Sequence, residues 1–253
     1  MKKQRILLKI GSNTLTKETD QLSRGKVEDI GRQVAQLRET HEFIIVSSGA
    51  IAAARQFVKL EHNGPDITVK QALAAIGQPH LMRIFQENFR ELGLLTSQCL
   101  LSYSDFENPI SKANIRNTIN VLVANNFIPI INENDTVATD EIQFGDNDKL
   151  AALTAALLQA DLLMIATNTN GIYYKESLEN NKPETITSIE GIRNLSAEVS
   201  NVKSSHGTGG MLSKIEAAAI AQKAGIETWV VNGLKDNFIL EALNNQSSYT
   251  KIK

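Results

Sequence analysis

Two lysines, one near each end of the chain, stand in sequence contexts that favour contact with an anion. Lys9 interrupts the apolar run 5–10, where an ammonium group is costly to bury unless it meets a negative charge. Lys214 follows the glycine-rich stretch 207–210 and precedes the helical pattern 215–224. Backbone N–H groups of such a loop can bind phosphate, and a nearby lysine can follow a moving phosphoryl group. Either lysine, taken alone, could equally be a solvated side chain.

The glycine-rich segment 207–214 matches neither of two common nucleotide-binding motifs. The Walker A pattern G-x-x-x-x-G-K-[ST] is absent, and the dinucleotide pattern G-x-G-x-x-G fails at Leu212. The segment therefore predicts a phosphate-binding loop of another kind.

Three polar segments follow strand-like runs or open helical patterns elsewhere in the chain. They are Ser-Ser-Gly-Ala at 47–50, Ile-Asn-Glu-Asn-Asp at 131–135 and Phe-Gly-Asp-Asn-Asp at 144–148. Small residues that open a helix at 47–50 leave N–H groups free for an anion, although many ordinary turns look like this. Any one of Asp146, Asn147 and Asp148 could be a simple helix N-cap. Together, the two acidic segments indicate a ligand with an ammonium group, or the positioning of cationic groups or Mg²⁺.

The elements that must position these residues alternate between short apolar runs and longer helical patterns. The strand-like runs are 5–10, 43–47, 127–131, 161–167 and 227–232. Their continuous hydrophobicity is typical of strands buried on both faces, and such alternation predicts a mostly parallel sheet with helices on both sides. The polar segments then lie at the carboxyl edge of the sheet, where open α/β folds bind ligands.

Composition excludes several classes of protein. The chain has 253 residues and a net charge of −2, which argues against a nucleic-acid-binding or anionic-membrane-binding surface as the main function. No apolar window is long enough to span a membrane, and a single cysteine excludes an intramolecular disulfide and fits a cytoplasmic location. The four histidines, His41, His62, His80 and His206, show no metal-ligand spacing.

Taken together, the motifs resemble those of the amino acid kinase family. The matching residues are the lysine-glycine start at Lys9, Ser-Ser-Gly-Ala-Ile at 47–51, Ile-Asn-Glu-Asn-Asp at 131–135, Gly-Asp-Asn-Asp at 145–148, and Gly-Thr-Gly-Gly-Met at 207–211 with Lys214. They occur in the order that the family shows and cover positions 9–214. The resemblance implies a single catalytic domain over 1–253, built as a three-layer αβα sandwich around a largely parallel sheet of about eight strands.

The resemblance also implies an activity. It is the ATP-dependent phosphorylation of the γ-carboxylate of L-glutamate to L-glutamyl 5-phosphate, the first step of proline biosynthesis. Mg²⁺ would enter mainly through the ATP phosphates, proline would be a possible feedback inhibitor, and the protein would form a homodimer or homotetramer.

Site residues follow from the same resemblance, position by position. Lys9 and Lys214 would stabilise the transferring phosphoryl group, and Asp148 would orient the two lysines. The residues expected to hold glutamate are Ser48, Asp135, Asn147 and Asp146. Those expected at ATP are Lys9, Thr167, Asn168, Thr208, Gly209, Gly210, Met211, Leu212, Ser213 and Lys214.

Two features depart from the family pattern. Members usually read Thr-Asp-x-x-Gly-Leu-Tyr after the strand near position 165, and here Asn168 stands where that aspartate would contact the nucleotide. Many members also carry a C-terminal PUA domain, which we do not expect within these 253 residues.

Other functions stay open at this point. The acceptor could be acetylglutamate, aspartate, carbamate or UMP, although the anionic segment 135–148 favours an acceptor with a free ammonium group. The chain could also be a ligand-binding regulator without catalysis, for which Asn168 is the one supporting feature.

Overall fold

A computed structural model describes residues 2–17, 19, 21–60, 66–138, 147–180, 182–191 and 210–253. The strands are β1 Gln4–Ile10, β2 His41–Ser47, β3 Leu95–Leu101, β4 Phe127–Glu133, β5 Leu162–Thr167, β6 Ser188–Ile189, β7 Glu227–Asn232 and β8 Thr250–Ile252. The α-helices are α1 Ser12–Thr16, α2 Arg24–Leu37, α3 Ala50–Arg55, α4 Asp66–Glu91, α5 Pro109–Ala124, α6 Asp148–Leu158, α7 Lys175–Glu179, α8 Met211–Lys223 and α9 Phe238–Leu243. None of these helices is long and apolar enough to cross a membrane.

The strands form one eight-stranded sheet in the order β3-β4-β2-β1-β5-β7-β8-β6. The pairings from β3 through to β7 are parallel, β8 runs antiparallel to β7, and β6 pairs parallel with β8. The sequence-based prediction of a mostly parallel sheet of about eight strands is therefore confirmed. β1 lies between β2 and β5, so the strand that carries Lys9 is near the centre of the sheet.

Two apolar cores cover the two faces of the sheet and give the sandwich its three layers. On one face, Ile6, Leu8 and Ile10 of β1 belong to a buried cluster with residues of α2, α3, α4 and α9. On the other face, Leu7 belongs to a cluster with residues of α5, α6 and α8. Because side chains alternate along a strand, Lys9 shares the face of Leu7, which is the face covered by α6 and α8.

Helices α3 and α4 approach each other through Gly77, which is a position for a stability prediction. A Cβ atom at Gly77 would lie 1.8 Å from the carbonyl oxygen of Ala50 and 2.8 Å from the backbone nitrogen of Ala54. Because the obstructing atoms are backbone, relief requires the two helices to separate. We expect Gly77→Ala to lower the free energy of unfolding by about 3 kcal/mol or more, measured by urea denaturation.

Gly25 provides the matched control for this substitution. It also lies in a helix, α2, but a Cβ atom there would meet nothing within 4 Å. We expect Gly25→Ala to be neutral or to stabilise by up to about 1 kcal/mol, because alanine is the better helix former. Equal effects at the two glycines would contradict the close packing of α3 on α4.

Candidate active site

Three charged side chains that are distant in sequence meet at the carboxyl edge of the sheet. The Nζ atom of Lys9 lies 2.6 Å from Oδ1 of Asp148, and the Nζ atom of Lys214 lies 3.1 Å from Oδ2 of the same carboxylate. Lys9 is 3% exposed, Lys214 6% and Asp148 0%. Each carboxylate oxygen therefore contacts one ammonium group, and both ammonium groups are held almost out of solvent.

Local structure explains how each of the three residues reaches this point. Lys9 is the penultimate residue of β1, Asp148 is the first residue of α6, and Lys214 lies in the first turn of α8. Helices α6 and α8 pack side by side on the face of the sheet toward which Lys9 points. A carboxylate at a helix N-terminus also interacts favourably with the helix dipole.

The charges of this group do not cancel. Burial raises the pKa of the Asp148 carboxyl, but the ammonium groups of Lys214 and Lys9 outweigh burial and hold that pKa well below its usual range. The carboxylate is therefore ionised at neutral pH, and the three groups together carry a net charge of +1. A buried excess of positive charge is suited to an incoming anion such as a phosphoryl group.

The first turn of α8 adds a hydroxyl group to this centre. The Oγ atom of Ser213 lies 3.0 Å from Oδ2 of Asp148 and 2.8 Å from the carbonyl oxygen of Gly210. Gly210 is the N-cap residue of α8 and, as a glycine, makes no side-chain capping hydrogen bond. Helix-start N–H groups without such a side-chain cap are suited to bind an anion, and these lie in the same turn as Lys214.

A second group of polar side chains lies beside the lysines, on the β2 and β4 side. The Nδ2 atom of Asn147 donates to the carbonyl oxygen of Ser47 at 3.1 Å and to Oδ1 of Asn132 at 2.8 Å, and it lies 3.2 Å from Oγ of Ser48. These acceptors fix which way the Asn147 amide faces. Its Oδ1 atom is buried and accepts no hydrogen bond from the described residues. That oxygen is suited to accept from a ligand ammonium group.

Asn132 and Gln78 are polar partners of this group that the sequence did not single out as site residues. Oδ1 of Asn132 accepts from the N–H of Glu133 at 2.9 Å, which fixes the orientation of the amide. Nδ2 of Asn132 then donates to Oε1 of Gln78 at 2.9 Å, and Gln78 donates to Gln98 at 3.2 Å. Asn132 lies within the 131–135 motif, which is a signal that could have been used, whereas no local pattern marks Gln78 on α4.

Asp135 lines a small cavity beside this group. It is 7% exposed, and its carbonyl oxygen accepts from Gln71 at 3.1 Å. The cavity has a volume of about 190 Å³ and is lined in part by Gln78, Glu133, Asn134 and Asp135. Two carboxylates at one cavity make it suited to a cationic group.

Thr167 and Asn168 lie on the opposite side of β1, at the carboxyl end of β5. The Oγ1 atom of Thr167 donates to Oδ1 of Asn168 at 3.4 Å. The neighbouring strand β7 ends at Asn232, whose Nδ2 atom donates to Oδ1 of Asn170 at 3.0 Å. Of the residues predicted for ATP, Thr167 and Asn168 therefore lie on the β5 side of Lys9. Of those predicted for glutamate, Ser48 and Asn147 lie on the β2 side.

Not every predicted site residue can be placed. Asp146, Thr208 and Gly209 lie outside the described residues. Met211 packs partly against a small apolar cluster, and Leu212 is 51% exposed at the start of α8. The roles of all the site residues stay predictions, since the geometry gives their positions and contacts only.

Within the described residues, no cluster of three or more histidine, cysteine, aspartate or glutamate side chains could hold a metal ion. The Asp148 carboxylate is already bound by two ammonium groups and a hydroxyl. A divalent cation held by the described side chains alone does not fit this arrangement.

Comparison with known proteins gives matches over nearly the whole chain. A family model described as the amino acid kinase family matches residues 4–232. A protein of Neisseria meningitidis serogroup A, named glutamate 5-kinase, is 39% identical over 249 residues, which covers 98% of this chain and 68% of that protein. A Streptococcus pneumoniae protein of the same name is 41% identical over 244 residues, covering 96% of this chain and 66% of that protein.

Two solved structures share the fold at low sequence identity. The UMP kinase of Ureaplasma parvum superposes with a TM-score of 0.66 at 18% identity, over 100% of both chains. The carbamate kinase of Giardia lamblia, bound to AMP-PNP, superposes with a TM-score of 0.70 at 15% identity, over 99% of this chain and 98% of the other. The αβα arrangement described above is therefore an established fold.

Proposed function

Because this chain belongs to the amino acid kinase family, we propose that it transfers the γ-phosphoryl group of ATP to the γ-carboxylate of L-glutamate. The products are ADP and L-glutamyl 5-phosphate, and the reaction is the first step of proline biosynthesis. Relatives named glutamate 5-kinase support the choice of acceptor, at about 40% identity over nearly the whole chain. The single structural observation that supports phosphoryl transfer is the pair of buried ammonium groups on the Asp148 carboxylate.

The chemistry requires no general base. A γ-carboxylate has a pKa of about 4.3 and is ionised at neutral pH, so its oxygen is already a nucleophile. That oxygen forms a bond to the γ-phosphorus as the bond to the β,γ-bridging oxygen breaks, and ADP leaves with the electron pair. No proton moves in this step. The absence of a histidine from the described centre is compatible with such a mechanism.

The main obstacle is the approach of an anionic carboxylate to a polyanionic phosphate. Phosphoryl transfer depends chiefly on positioning and on stabilisation of charge at the transferring group. In the proposed mechanism, Lys9 and Lys214 supply two ammonium groups that Asp148 holds in fixed positions before the substrates arrive. Preorganised charges of this kind stabilise the transition state without reorganising during the reaction.

The acceptor is proposed to bind on the β2 and β4 side of the lysines. Ser48, Asn147, Asp135 and Asp146 are its proposed ligands. The buried Oδ1 atom of Asn147 is oriented to accept from the α-ammonium group, since Ser47 and Asn132 occupy the amide NH₂. Carboxylates at the adjacent cavity favour the same positive group.

ATP is proposed to bind on the β5 side, with its phosphates at the start of α8. Its proposed contacts are Lys9, Thr167, Asn168, Thr208, Gly209, Gly210, Met211, Leu212, Ser213 and Lys214. Mg²⁺ is proposed as part of the substrate, bound mainly by phosphate oxygens, because Mg²⁺ commonly enters phosphoryl-transfer sites in this way. Asn168 contributes an amide where the family pattern has a carboxylate.

An acceptor panel tests the proposal directly. We expect ADP release, measured by a coupled assay with ATP and Mg²⁺, to depend on L-glutamate. Turnover with acetylglutamate, aspartate, carbamate or UMP is expected to be at least about 100-fold lower in kcat/KM, since each leaves polar groups of the site unpaired or misplaced. Omitting Mg²⁺ is the control and is expected to abolish turnover.

Two results of the panel would contradict the proposal. Preference for another acceptor would identify a different amino acid kinase. Binding of both ATP and glutamate without turnover would identify a non-catalytic regulator, which is the alternative that Asn168 supports. Adding proline to the glutamate assay tests the further proposal that proline inhibits the enzyme.

Further parts of the proposal rest on family resemblance. We propose that residues 1–253 form one catalytic domain, that the protein acts as a homodimer or homotetramer, and that it is cytoplasmic. The curated relatives are longer, with the chain covering 66% to 68% of the two named above. Sedimentation velocity of the purified chain tests the oligomeric state.

A further inference from the structure

Helix α2 carries a buried polar network that the mechanism above does not use. Lys26, Asp29 and Gln33 are at most 1% exposed, although all three are polar or charged. Their spacing places them on one face of the helix. Nζ of Lys26 lies 3.1 Å from Oδ2 of Asp29, and Nε2 of Gln33 donates to the same oxygen at 3.0 Å. The three side chains therefore form one connected unit.

This network binds the backbone of the segment that follows β7. The groups that it binds are the carbonyl oxygen of Lys235 and the N–H groups of Asn237, Ile239 and Leu240. Lys26 binds the carbonyl oxygen of Lys235 at 2.5 Å, and Asp29 binds the N–H of Asn237 at 3.2 Å. Gln33 binds the N–H groups of Ile239 and Leu240 at 2.7 and 3.3 Å. Because the contacts are to backbone, they determine the path of residues 235–240 whatever side chains the segment carries.

Gln33 also serves as a cap for helix α9 from a distance. Asn237 is the N-cap residue of α9, and its side chain makes no capping hydrogen bond. The two N–H groups that Gln33 binds belong to the first turn of that helix, where N–H groups lack partners within the helix. Removing the Gln33 acceptor would therefore leave buried donors without a partner.

The segment held by this network begins against the end of β5, where ATP is proposed to bind. The N–H of Gly233 donates to the carbonyl oxygen of Thr167 at 2.7 Å. A Cβ atom at Gly233 would lie 2.7 Å from Cγ2 of Thr14 and 2.8 Å from Cβ of Ala166. The backbone at Gly233 is thus packed directly against the strand that ends in Thr167 and against the helix that follows Lys9.

Stability alone does not account for a fully buried lysine at this place. Burial lowers the pKa of the Lys26 ammonium despite the nearby carboxylates of Asp29 and Asp236, so the charge is retained at a cost. Well-packed apolar residues can often replace a buried ion pair without loss of stability. What apolar residues cannot supply is the specific binding of the backbone groups at 235–240.

We propose that Lys26, Asp29 and Gln33 are positioning residues for nucleotide binding, which hold the segment 233–240 so that it forms one wall of the ATP site. The proposal rests on the function proposed above, because that function places ATP at Thr167 and Asn168. The acceptor side of the site lies across β1, on β2 and β4, whereas the hydrogen bonds of this network among the described residues go to α2 itself and to residues 235–240. The network should therefore affect ATP and not glutamate.

Lys26→Met and Gln33→Met test this assignment, since each keeps the approximate size of the side chain and removes its hydrogen bonds. We expect each variant to raise the Kd of ATP, measured calorimetrically with Mg²⁺ present, by about tenfold, the scale of one or two lost hydrogen bonds. KM for ATP should rise in parallel. KM for glutamate should stay within about twofold, because the acceptor side is not held by this network.

Arg5→Met is the matched control. Arg5 binds Glu42, Asn120 and the carbonyl oxygen of Leu158, and it lies at the amino end of β1, away from the site. The substitution Arg5→Met removes a comparable set of side-chain hydrogen bonds, so this variant should have a lower melting temperature and an unchanged Kd of ATP. If Arg5→Met weakens ATP binding as much as Lys26→Met does, the network is merely structural and the proposal is overturned.

Hydrogen–deuterium exchange on the unmodified protein keeps the proposal testable if a variant does not fold. ATP with Mg²⁺ should slow exchange of the amides at 237, 239 and 240, which the network binds. Exchange there that is unchanged at saturating ATP would overturn the proposal. The Kd of ATP and the exchange rates are both measured with ATP as the only substrate, so these two measurements test the network even if glutamate proves not to be the acceptor.

Discussion

Lys9→Met is expected to lower kcat for glutamate phosphorylation by at least about 100-fold, the scale for removing one preorganised charge contact. The substitution removes one of the two ammonium groups that we propose stabilise the transferring phosphoryl group. It leaves Asp148 paired with Lys214 at 3.1 Å, so the buried carboxylate keeps an ammonium partner. We therefore expect the melting temperature of the unliganded variant to be equal to or above that of the unmodified protein.

A coupled ADP assay and a thermal denaturation scan measure these two effects. Lys149→Met is the matched control: Lys149 is the neighbour of Asp148 in α6, but its exposed ammonium lies over the ring of Tyr103. That variant should keep both kcat and melting temperature. Turnover of Lys9→Met close to that of the unmodified protein would remove Lys9 from the mechanism.

Asp148→Asn is expected to damage both activity and stability, in contrast to Lys9→Met. It leaves two buried ammonium groups with no carboxylate between them, and breaking a buried ion pair in this way costs about 3–5 kcal/mol. For a chain of this length, that corresponds to a fall in melting temperature of about 6–20 °C. We expect kcat to fall by about 100-fold or more, because both lysines lose their fixed positions.

Asp161→Asn is the control for this change. Asp161 is exposed, and it accepts from the N–H of Arg5 at the amino ends of the strands, opposite the site. Adding Lys9→Met to Asp148→Asn should recover part of the lost stability by removing one of the two unbalanced charges. A double variant less stable than Asp148→Asn alone would show that repulsion between the ammonium groups is not the cause.

The same carboxylate predicts how stability depends on pH. Because the pKa of Asp148 is lower in the folded than in the unfolded protein, its ionised form stabilises the fold fully above the unfolded value of about 3.9. That contribution is lost as the pH falls below the pKa of Asp148 in the unfolded protein toward its lower pKa in the folded protein. The difference in urea midpoint between the unmodified protein and Asp148→Asn should therefore narrow below about pH 5. A constant difference down to pH 3 would contradict the ion pair.

The sequence allowed most of the central sheet to be predicted and missed its edges, for physical reasons. β1, β2, β4, β5 and β7 are covered by helices on both faces and therefore read as continuous apolar runs. β3 is an edge strand in which every residue before Leu101 is exposed or half-buried, and its polar residues Thr96, Ser97 and Gln98 interrupt the apolar run that would otherwise mark a strand. β6 and β8 have two and three residues, too few to show any pattern.

The candidate site shows a similar division. The motif residues at strand ends and helix starts could be predicted individually, because a buried lysine or a cluster of amides is unusual in any sequence. The meeting of Lys9, Asp148 and Lys214 depends on crossovers between distant elements, and only family resemblance suggested it. The contacts of Gln78 and of Lys26 with their partners carry no local signal, since each looks like an ordinary polar residue on a helix.

The strand order sets the length of the reacting complex that this protein can accommodate. From β4, beside the residues proposed for the acceptor, to β7, beside those proposed for the nucleotide, the order is β4-β2-β1-β5-β7, with Lys9 on the middle strand. Neighbouring strands are about 4.8 Å apart, so the two ends of the site are separated by about 19 Å. Backbone hydrogen bonds hold that separation constant. An acceptor of different length must then be accommodated by the loops on the β2 and β4 side, while the nucleotide side can remain unchanged.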